Sequence, residues 1–304
     1  MGLNRFLASA ATARPRVHLV EAPGGAPVRW AVEDALEALG WRRTASPAAA
    51  DALVVAGRLP DDLRTAAELL WSQLPGPRVR RHVEDVGEVA EALETLPAAL
   101  REHATHRVDA RDRGSDEVSR FLPDDAEDGH MTPAGIALAE GAEDRDGLEM
   151  DHLVHPLGPL LDRWPGGLEL RLTIHGDVVA DVAVQRAPVT PVAGPAAAWD
   201  AVSTTLALVG DDRGASVARR LRRQDSDDRP TDRARLRQRL RRWGRVGILP
   251  AAAAEALLAA TDTSSTSVPP TDLPALLRGQ DLYDVRLLVA AHAPVLLLGE
   301  VARA

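Results

Sequence analysis

The 304-residue sequence contains no cysteine and no lysine, and aromatic residues make up only 3% of it. The absence of cysteine excludes disulfides, thiolate catalysis, and zinc or iron–sulfur sites with cysteine ligands. All basic side chains other than histidine are arginine. Because aromatic residues are so few, the core must be packed mainly with alanine, leucine and valine.

The charge and hydropathy of the chain limit the class of protein further. A formal net charge of −9 argues against nucleic-acid binding by the whole chain. The longest apolar run, residues 287–299, is interrupted by His292 and Pro294 and is too short to cross a bilayer as a helix. Residues 1–7 lack the long apolar segment of a secretory signal. We expect a cytoplasmic protein, or one held at the inner face of the membrane by a partner complex.

Residues 50–83 carry the clearest structural signal. A short apolar run with β-branched side chains ends at Gly57 and Pro60, as is typical of a buried parallel strand. Asp61 and Asp62 then supply hydrogen-bond acceptors and negative charge at a helix start. The sequence Leu-Pro-Gly-Pro at residues 74–77 must end that helix, because proline cannot continue it. The order strand, helix, strand predicts a βαβ unit of a parallel sheet.

Four regions are predicted along the chain. Residues 1–106 alternate strands and helices, which predicts a small flavodoxin-like α/β domain with a parallel sheet. Residues 107–149 are rich in charged residues and predict an acidic flexible linker. Residues 150–190 contain a β-hairpin, with alternating apolar and polar positions on either side of a His-Gly-Asp turn. Residues 191–304 predict a helical C-terminal domain.

Two stretches resemble subunits of one respiratory enzyme. Residues 50–79, with their strand, helix and Leu-Pro-Gly-Pro-Arg-Val ending, resemble the twenty-kilodalton subunit of NADH–quinone oxidoreductase (complex I), which is kin to the small subunit of nickel–iron hydrogenase. Residues 158–179, with Gly158, Pro159 and the hairpin, resemble the N-terminal β-region of the forty-nine-kilodalton subunit, the partner of the first. The resemblance implies a flavodoxin-like domain and a place near the hydrophilic arm of such a complex.

The sequence departs from this family at the cluster site. The family holds an iron–sulfur cluster through cysteines, some of them in the turn after the first strand. Here that turn, residues 21–25, reads Glu-Ala-Pro-Gly-Gly. The resemblance therefore predicts a non-catalytic accessory or assembly protein that has no cofactor of its own. Its expected partners are protein subunits of a membrane-associated redox complex.

Two candidate ligand sites, each indicated only by a weak sequence motif, support an alternative hypothesis. In this hypothesis the protein is a ligand- or metal-binding enzyme or sensor that reuses the α/β cleft. Gly24 and Gly25 join a strand to a helix start, where free amides can hold an anion, although two glycines without a longer motif favour a plain turn. His152 and His155 are three residues apart and are expected to share a helix face. With His130 they are candidate ligands of a divalent metal, and a solvated helix end is the other interpretation. The sequence identifies no catalytic residue.

A local block of arginines follows the hairpin region. Trp243 is the only aromatic residue close to the block, and four aspartates interrupt the positive charge. A solvent-facing surface with many salt bridges is therefore favoured. The alternatives are a nucleic-acid-associated protein and a surface that docks onto an acidic partner protein. The block consists of Arg219, Arg220, Arg222, Arg223, Arg233, Arg235, Arg237, Arg239, Arg241 and Arg242.

Overall fold

The structure is a computed structural model, and it describes residues 12–113, 140–143, 149–186, 194–223, 230–262 and 271–297. The chain divides into two compact units. The first comprises Met1–Leu138 together with Pro159–Asp162, and the second comprises Ala139–Gly158 and Arg163–Ala304.

The first unit is a three-layer α/β domain. Its four strands are all parallel and lie in the order β2-β1-β3-β4. This is the strand order of flavodoxin-like sheets, so the predicted fold class is confirmed for this region. In chain order the elements are β1 (Arg16–Glu21), α1 (Ala26–Leu39), β2 (Arg42–Arg43), β3 (Ala52–Ala56), α2 (Arg64–Ser72), β4 (Val79–Val83), α3 (Val89–Glu94), α4 (Leu96–Ala99) and α5 (His103–Asp112).

Apolar side chains cover both faces of this sheet. On one face, β1, β3 and β4 pack against α1, α3 and α4. On the other, Val20, Leu53 and Val55 pack with Leu63 and with Leu160 of the returning segment. All five residues of β3 are buried, which explains why this strand reads as a continuous apolar run rather than an alternating one.

Local signals set the ends of the helices in this unit. A capping box precedes α3, because Asp85 accepts a hydrogen bond from the Gly87 amide at 3.2 Å and Glu88 accepts one from the Asp85 amide at 3.4 Å. Gly40, with φ of 65°, closes α1 in the left-handed conformation. The helix α5 continues to Asp112, so the predicted start of the linker at residue 107 lies inside a helix.

The second unit combines an antiparallel sheet with helices. Strands β5 to β8 form a four-stranded sheet in chain order, and β9 and β10 form a short parallel pair. The elements are β5 (Glu140–Glu143), β6 (Glu149–Leu157), β7 (Glu169–His175), β8 (Val178–Arg186), α6 (Pro195–Leu208), α7 (Asp212–Arg223), α8 (Pro230–Arg245), α9 (Ala251–Ala260), β9 (Thr271–Asp272), α10 (Leu273–Leu277), α11 (Leu282–His292) and β10 (Leu296–Leu297).

The predicted hairpin is the β7–β8 pair. Its two-residue turn begins at Gly176, whose φ of 61° fits the first central position of a type II′ turn. Strand β5 lies within the predicted linker, whose residues 114–139 and 144–148 fall outside the described ranges. No helix in the described ranges is both long enough and apolar enough to span a membrane.

Candidate functional site at the carboxyl edge of the parallel sheet

The carboxyl ends of β1 and β3 are where a sheet of this topology would bind a ligand. The chain leaves β1 for α1 on one face and leaves β3 for α2 on the other face. Flavodoxin-like folds bind their ligands outside the carboxyl ends of the strands at such a switch point. The turn at residues 22–25 and Gly57 occupy this edge, and the turn includes the predicted anion-binding glycines.

The turn after β1 uses its own hydrogen-bonding groups. The Gly25 amide donates to the Ala22 carbonyl oxygen at 2.8 Å. Pro23 is the second residue of this turn, and Gly24 is the third, with a φ of 76°. This is the geometry of a type II β-turn, which requires a positive φ at the third position. The Gly25 amide is therefore engaged within the turn, and the plain-turn interpretation accounts for both glycines.

The backbones of the two strand ends lie against each other. A Cβ atom on Gly25 would overlap the carbonyl oxygen of Ala56, and one on Gly57 would lie 2.6 Å from the Gly25 Cα atom. The Ala22 amide donates to the Ala56 carbonyl oxygen at 2.8 Å, and the Gly57 amide donates to the Val83 carbonyl oxygen at 2.8 Å. The backbones at the ends of β1 and β3 are thus in direct contact, and neither glycine position has room for a side chain.

Five ionised side chains form a buried ion chain beside this edge: Glu21, Arg29, Glu33, Arg43 and Asp162. Arg29 pairs with Glu21 and donates through Nη1 to Glu33 Oε1 at 2.9 Å. Arg43 pairs with the same Glu33 oxygen and donates through Nε to Asp162 Oδ1 at 2.6 Å. No side chain in the ion chain is more than 10% exposed. Burial of charge is tolerated here because each guanidinium group meets two carboxylates.

Asp162 reaches the ion chain because the segment Pro159–Asp162 covers an edge of the sheet. The short strand β2 pairs with only two residues of β1, Arg16 and Val17. Beyond it, Asp162 forms an antiparallel bridge with Val20, while Leu160 is buried at 3% exposure. The carboxyl half of β1 is therefore covered by residues that lie far from it in the sequence.

His18 is the buried titratable group nearest to the ion chain. Its Nδ1 donates to the Thr44 carbonyl oxygen at 3.0 Å, which leaves Nε2 as an acceptor, and no described residue donates to that atom. Burial lowers the pKa of His18 and Arg43 adds to this effect, whereas the Thr44 carbonyl and Asp162 oppose it. The imidazole is therefore neutral at pH 7 and only 2% exposed, which does not suit proton exchange with solvent.

The predicted metal ligands do not come together. His152 and His155 lie on strand β6, not on a helix, and an odd separation of three places them on opposite faces of the sheet. His152 lies opposite His175 with ring centroids 6.3 Å apart, whereas His155 lies opposite Leu172 on the apolar face. His130 falls outside the described residues. In the described ranges, no three histidine or acidic side chains are grouped so that they could hold a metal ion.

The arginine block divides into two groups. Arg222 of α7 pairs with Asp200 of α6 at 2.8 Å, and Arg239 of α8 pairs with Asp211. Arg237 pairs with Asp262 at 3.6 Å and donates to Thr261 Oγ1 at 2.9 Å. Arg239 fits the predicted solvent-facing surface with salt bridges, whereas Arg222 is only 6% exposed and its ion pair lies inside the unit. Arg241 and Arg242 of the block, together with Arg245 just beyond it, are different, because they are exposed and no described carboxylate lies within ion-pair distance of them.

Comparison of the chain with protein-family models, with curated proteins and with solved structures finds no match in any of the three. The resemblance to complex I subunits therefore stays a prediction, and the function has to be argued from the geometry.

The ion chain was not predicted from the sequence. Its one local signal is the i,i+4 spacing of Arg29 and Glu33, a pattern that usually marks an exposed helix face.

Proposed function

We propose that this chain is a non-catalytic accessory or assembly protein that acts by binding other proteins. The observation that carries the proposal is the backbone contact between Gly25 and Gly57. At this contact the Gly25 amide is engaged within its own turn, so it is not free for a ligand at the edge where a flavodoxin-like fold would accept one. We therefore propose that a surface recognised by a partner carries the function.

The resemblance supplies the class of partner. A chain that keeps the βαβ unit and hairpin of two interacting redox subunits, but contains no cysteine, has the shape of an electron carrier without ligands for a cluster. We therefore propose the hydrophilic arm of a complex I-like or hydrogenase-like complex as the partner. In this role the protein carries no electrons itself and contributes a folded surface.

Chemical cross-linking in the native cell, followed by affinity isolation of the full chain, tests this proposal. We expect redox-complex subunits to be cross-linked to the chain well above the level found with a tagged α/β protein of similar size and charge. Recovery of the chain with no redox-complex subunit would contradict the proposal.

A ligand panel tests the alternative of an enzyme or sensor that uses the α/β cleft. A ligand that binds the native state stabilises it by RT ln(1 + [L]/Kd), so binding raises the melting temperature. With divalent metals, nucleotides and inorganic phosphate we expect no rise for the wild-type chain. A saturable rise that Gly24→Ala abolishes would favour the alternative.

A further inference from the structure

The end of helix α8 presents a surface of mixed character, here called the basic-apolar face. It consists of Arg241, Arg242, Arg245, Val246 and Ile248. Val246 is 60% exposed and Ile248 is 45% exposed, although the Leu249 that follows is buried. The opposite side of α8 contributes Leu236 and Leu240 to the core, so the orientation of the helix is set by packing.

Among the described residues, the positive charges of this face have no carboxylate partner. The other exposed arginines of α8 reach aspartates, as Arg239 does with Asp211. Arg245 donates through Nε to the Arg241 carbonyl oxygen at 3.3 Å, a contact that leaves its positive charge uncompensated. The dipole at the carboxyl end of a helix favours positive charge there and offsets part of the repulsion. That effect does not explain why Val246 and Ile248 are exposed beside the charges.

We propose that the basic-apolar face docks an acidic segment of a partner protein in which carboxylates flank aliphatic side chains. Guanidinium groups bind carboxylates through two parallel hydrogen bonds, and arginine is enriched at protein interfaces. The aliphatic side chains of Val246 and Ile248 supply the apolar contact that such a segment buries. This inference rests on the proposed function, for which it names the binding surface and the chemistry of the partner.

The same face fits other anionic partners less well. Surfaces that bind single-stranded nucleic acid present exposed aromatic rings on which bases stack, whereas Trp243 is half-buried with the Arg239 guanidinium 5.8 Å from its ring centroid. A duplex is bound mainly through its phosphates, which gives no role to the exposed Val246 and Ile248. An interfacial membrane helix needs a broad apolar side, whereas the apolar side of α8 packs inside the unit. Two aliphatic side chains beside three arginines match a short segment that carries both carboxylates and aliphatic side chains.

Binding of labelled probes to the full chain, followed by fluorescence anisotropy, tests the proposal. The probes are a helical peptide with glutamate and leucine at i,i+3,i+4 spacing, polyglutamate of equal charge, a DNA duplex and vesicles of anionic lipid. We expect the glutamate–leucine peptide to bind most tightly. The triple variant R241E/R242E/R245E should weaken its binding by about tenfold or more.

The matched control is R107E/R111E/R213E, which changes the net charge equally at three exposed arginines elsewhere. It should keep binding within about twofold of the wild type, because steering by net charge alone is weak at physiological salt. Val246→Ser with Ile248→Ser should weaken binding of the glutamate–leucine peptide and leave polyglutamate unaffected. If the reversed triple variant fails to fold by circular dichroism, R241Q/R242Q/R245Q replaces it.

Three results would overturn the proposal: equal binding by the triple variant and its control, tighter binding of the duplex or vesicles than of the peptide, or a wild-type dimer that the triple variant abolishes. The last result would make a second copy of the chain the occupant.

Cross-linking in the cell separates this inference from the proposed function. If the triple variant recovers the same redox subunits as the wild type, the surface is wrong and the function stands. If the wild type recovers none, the function is wrong and the peptide assay still decides the surface.

Discussion

Arginine serves two purposes in this protein, and the difference between them lies in burial. Arg29 and Arg43 of the first unit are each about one-tenth exposed, and each contacts two carboxylates. Arg242 and Arg245 of the second unit are exposed and meet no described carboxylate. A buried charge must be paired, so its loss leaves its partners buried and uncompensated, whereas an exposed charge contributes little to stability. We therefore expect removal of the first group to destabilise the fold, and we propose that the second binds a partner.

The largest expected effect comes from breaking the ion chain. Arg43→Met would leave Glu33 and Asp162 without their shared guanidinium and should lower the free energy of unfolding by about 3–5 kcal/mol. Arg58→Met removes a pair that is 85% exposed on the arginine side and should cost no more than about 1 kcal/mol. Hydrogen exchange of the β1 and β3 amides measures both. Equal losses in the two variants would show that burial does not distinguish the arginines.

The next largest loss of stability is expected from substitution at the contact between Gly25 and the end of β3. Gly25→Ala places a methyl group against the Ala56 carbonyl oxygen, and we expect a loss of about 1–3 kcal/mol. At Gly24 nothing lies within 4 Å of a new Cβ atom, so Gly24→Ala should cost only the strain of its positive φ, about 1 kcal/mol. Urea unfolding of the two variants tests the order. A Gly25→Ala protein as stable as the wild type would mean that the two turns are not in contact.

Stability should fall as the pH is lowered, and His18 should contribute. Because burial lowers the pKa of His18 in the native state, the unfolded chain binds a proton first as the pH drops below about 6.5. Stability is thus fully present above that pH and decreases below it. His292 acts in the same direction, since burial also lowers its pKa.

His18→Asn, whose amide can still donate to the Thr44 carbonyl, should reduce this pH dependence. Replacement of the exposed His103 should leave it unchanged. Urea unfolding between pH of about 7.5 and about 5.5 gives the slopes. An unaltered slope in His18→Asn would contradict the assignment.

The smallest effect is expected at the basic-apolar face. R241Q/R242Q/R245Q removes three exposed charges that have no described carboxylate partner, so the free energy of unfolding should change by no more than about 0.5 kcal/mol per site. A thermal melt of this variant beside Arg43→Met completes the comparison. A loss as large as that of Arg43→Met would place these arginines among the residues that hold the fold.

Local signals account for the part of the fold that the sequence predicts. The βαβ unit and the turn at Gly176 each depend on residues close together in the sequence, and both form as expected. The prediction that His152 and His155 share a helix face is wrong, because both lie on strand β6. A short, mainly apolar segment such as residues 153–157 does not distinguish a strand from a helix by its periodicity.

The candidate site was less predictable, because its contacts join distant parts of the chain. Arg43 and Asp162 are 119 residues apart, and no local pattern links them. The contact of Gly25 with Gly57 exists only because β1 and β3 are neighbours in a parallel sheet. Each glycine is also a reasonable turn residue in isolation, so the sequence indicates the turns but not that they close on each other.

The segment Pro159–Asp162 also limits how the protein can be divided for study. The residues before and after it belong to the second unit, although the segment itself completes the first. A fragment truncated at residue 138 would therefore lack Leu160 and Asp162, and its sheet would have an open edge that invites aggregation. Expression of the first unit by itself requires those four residues to be grafted back, for instance through a short loop engineered beside β2.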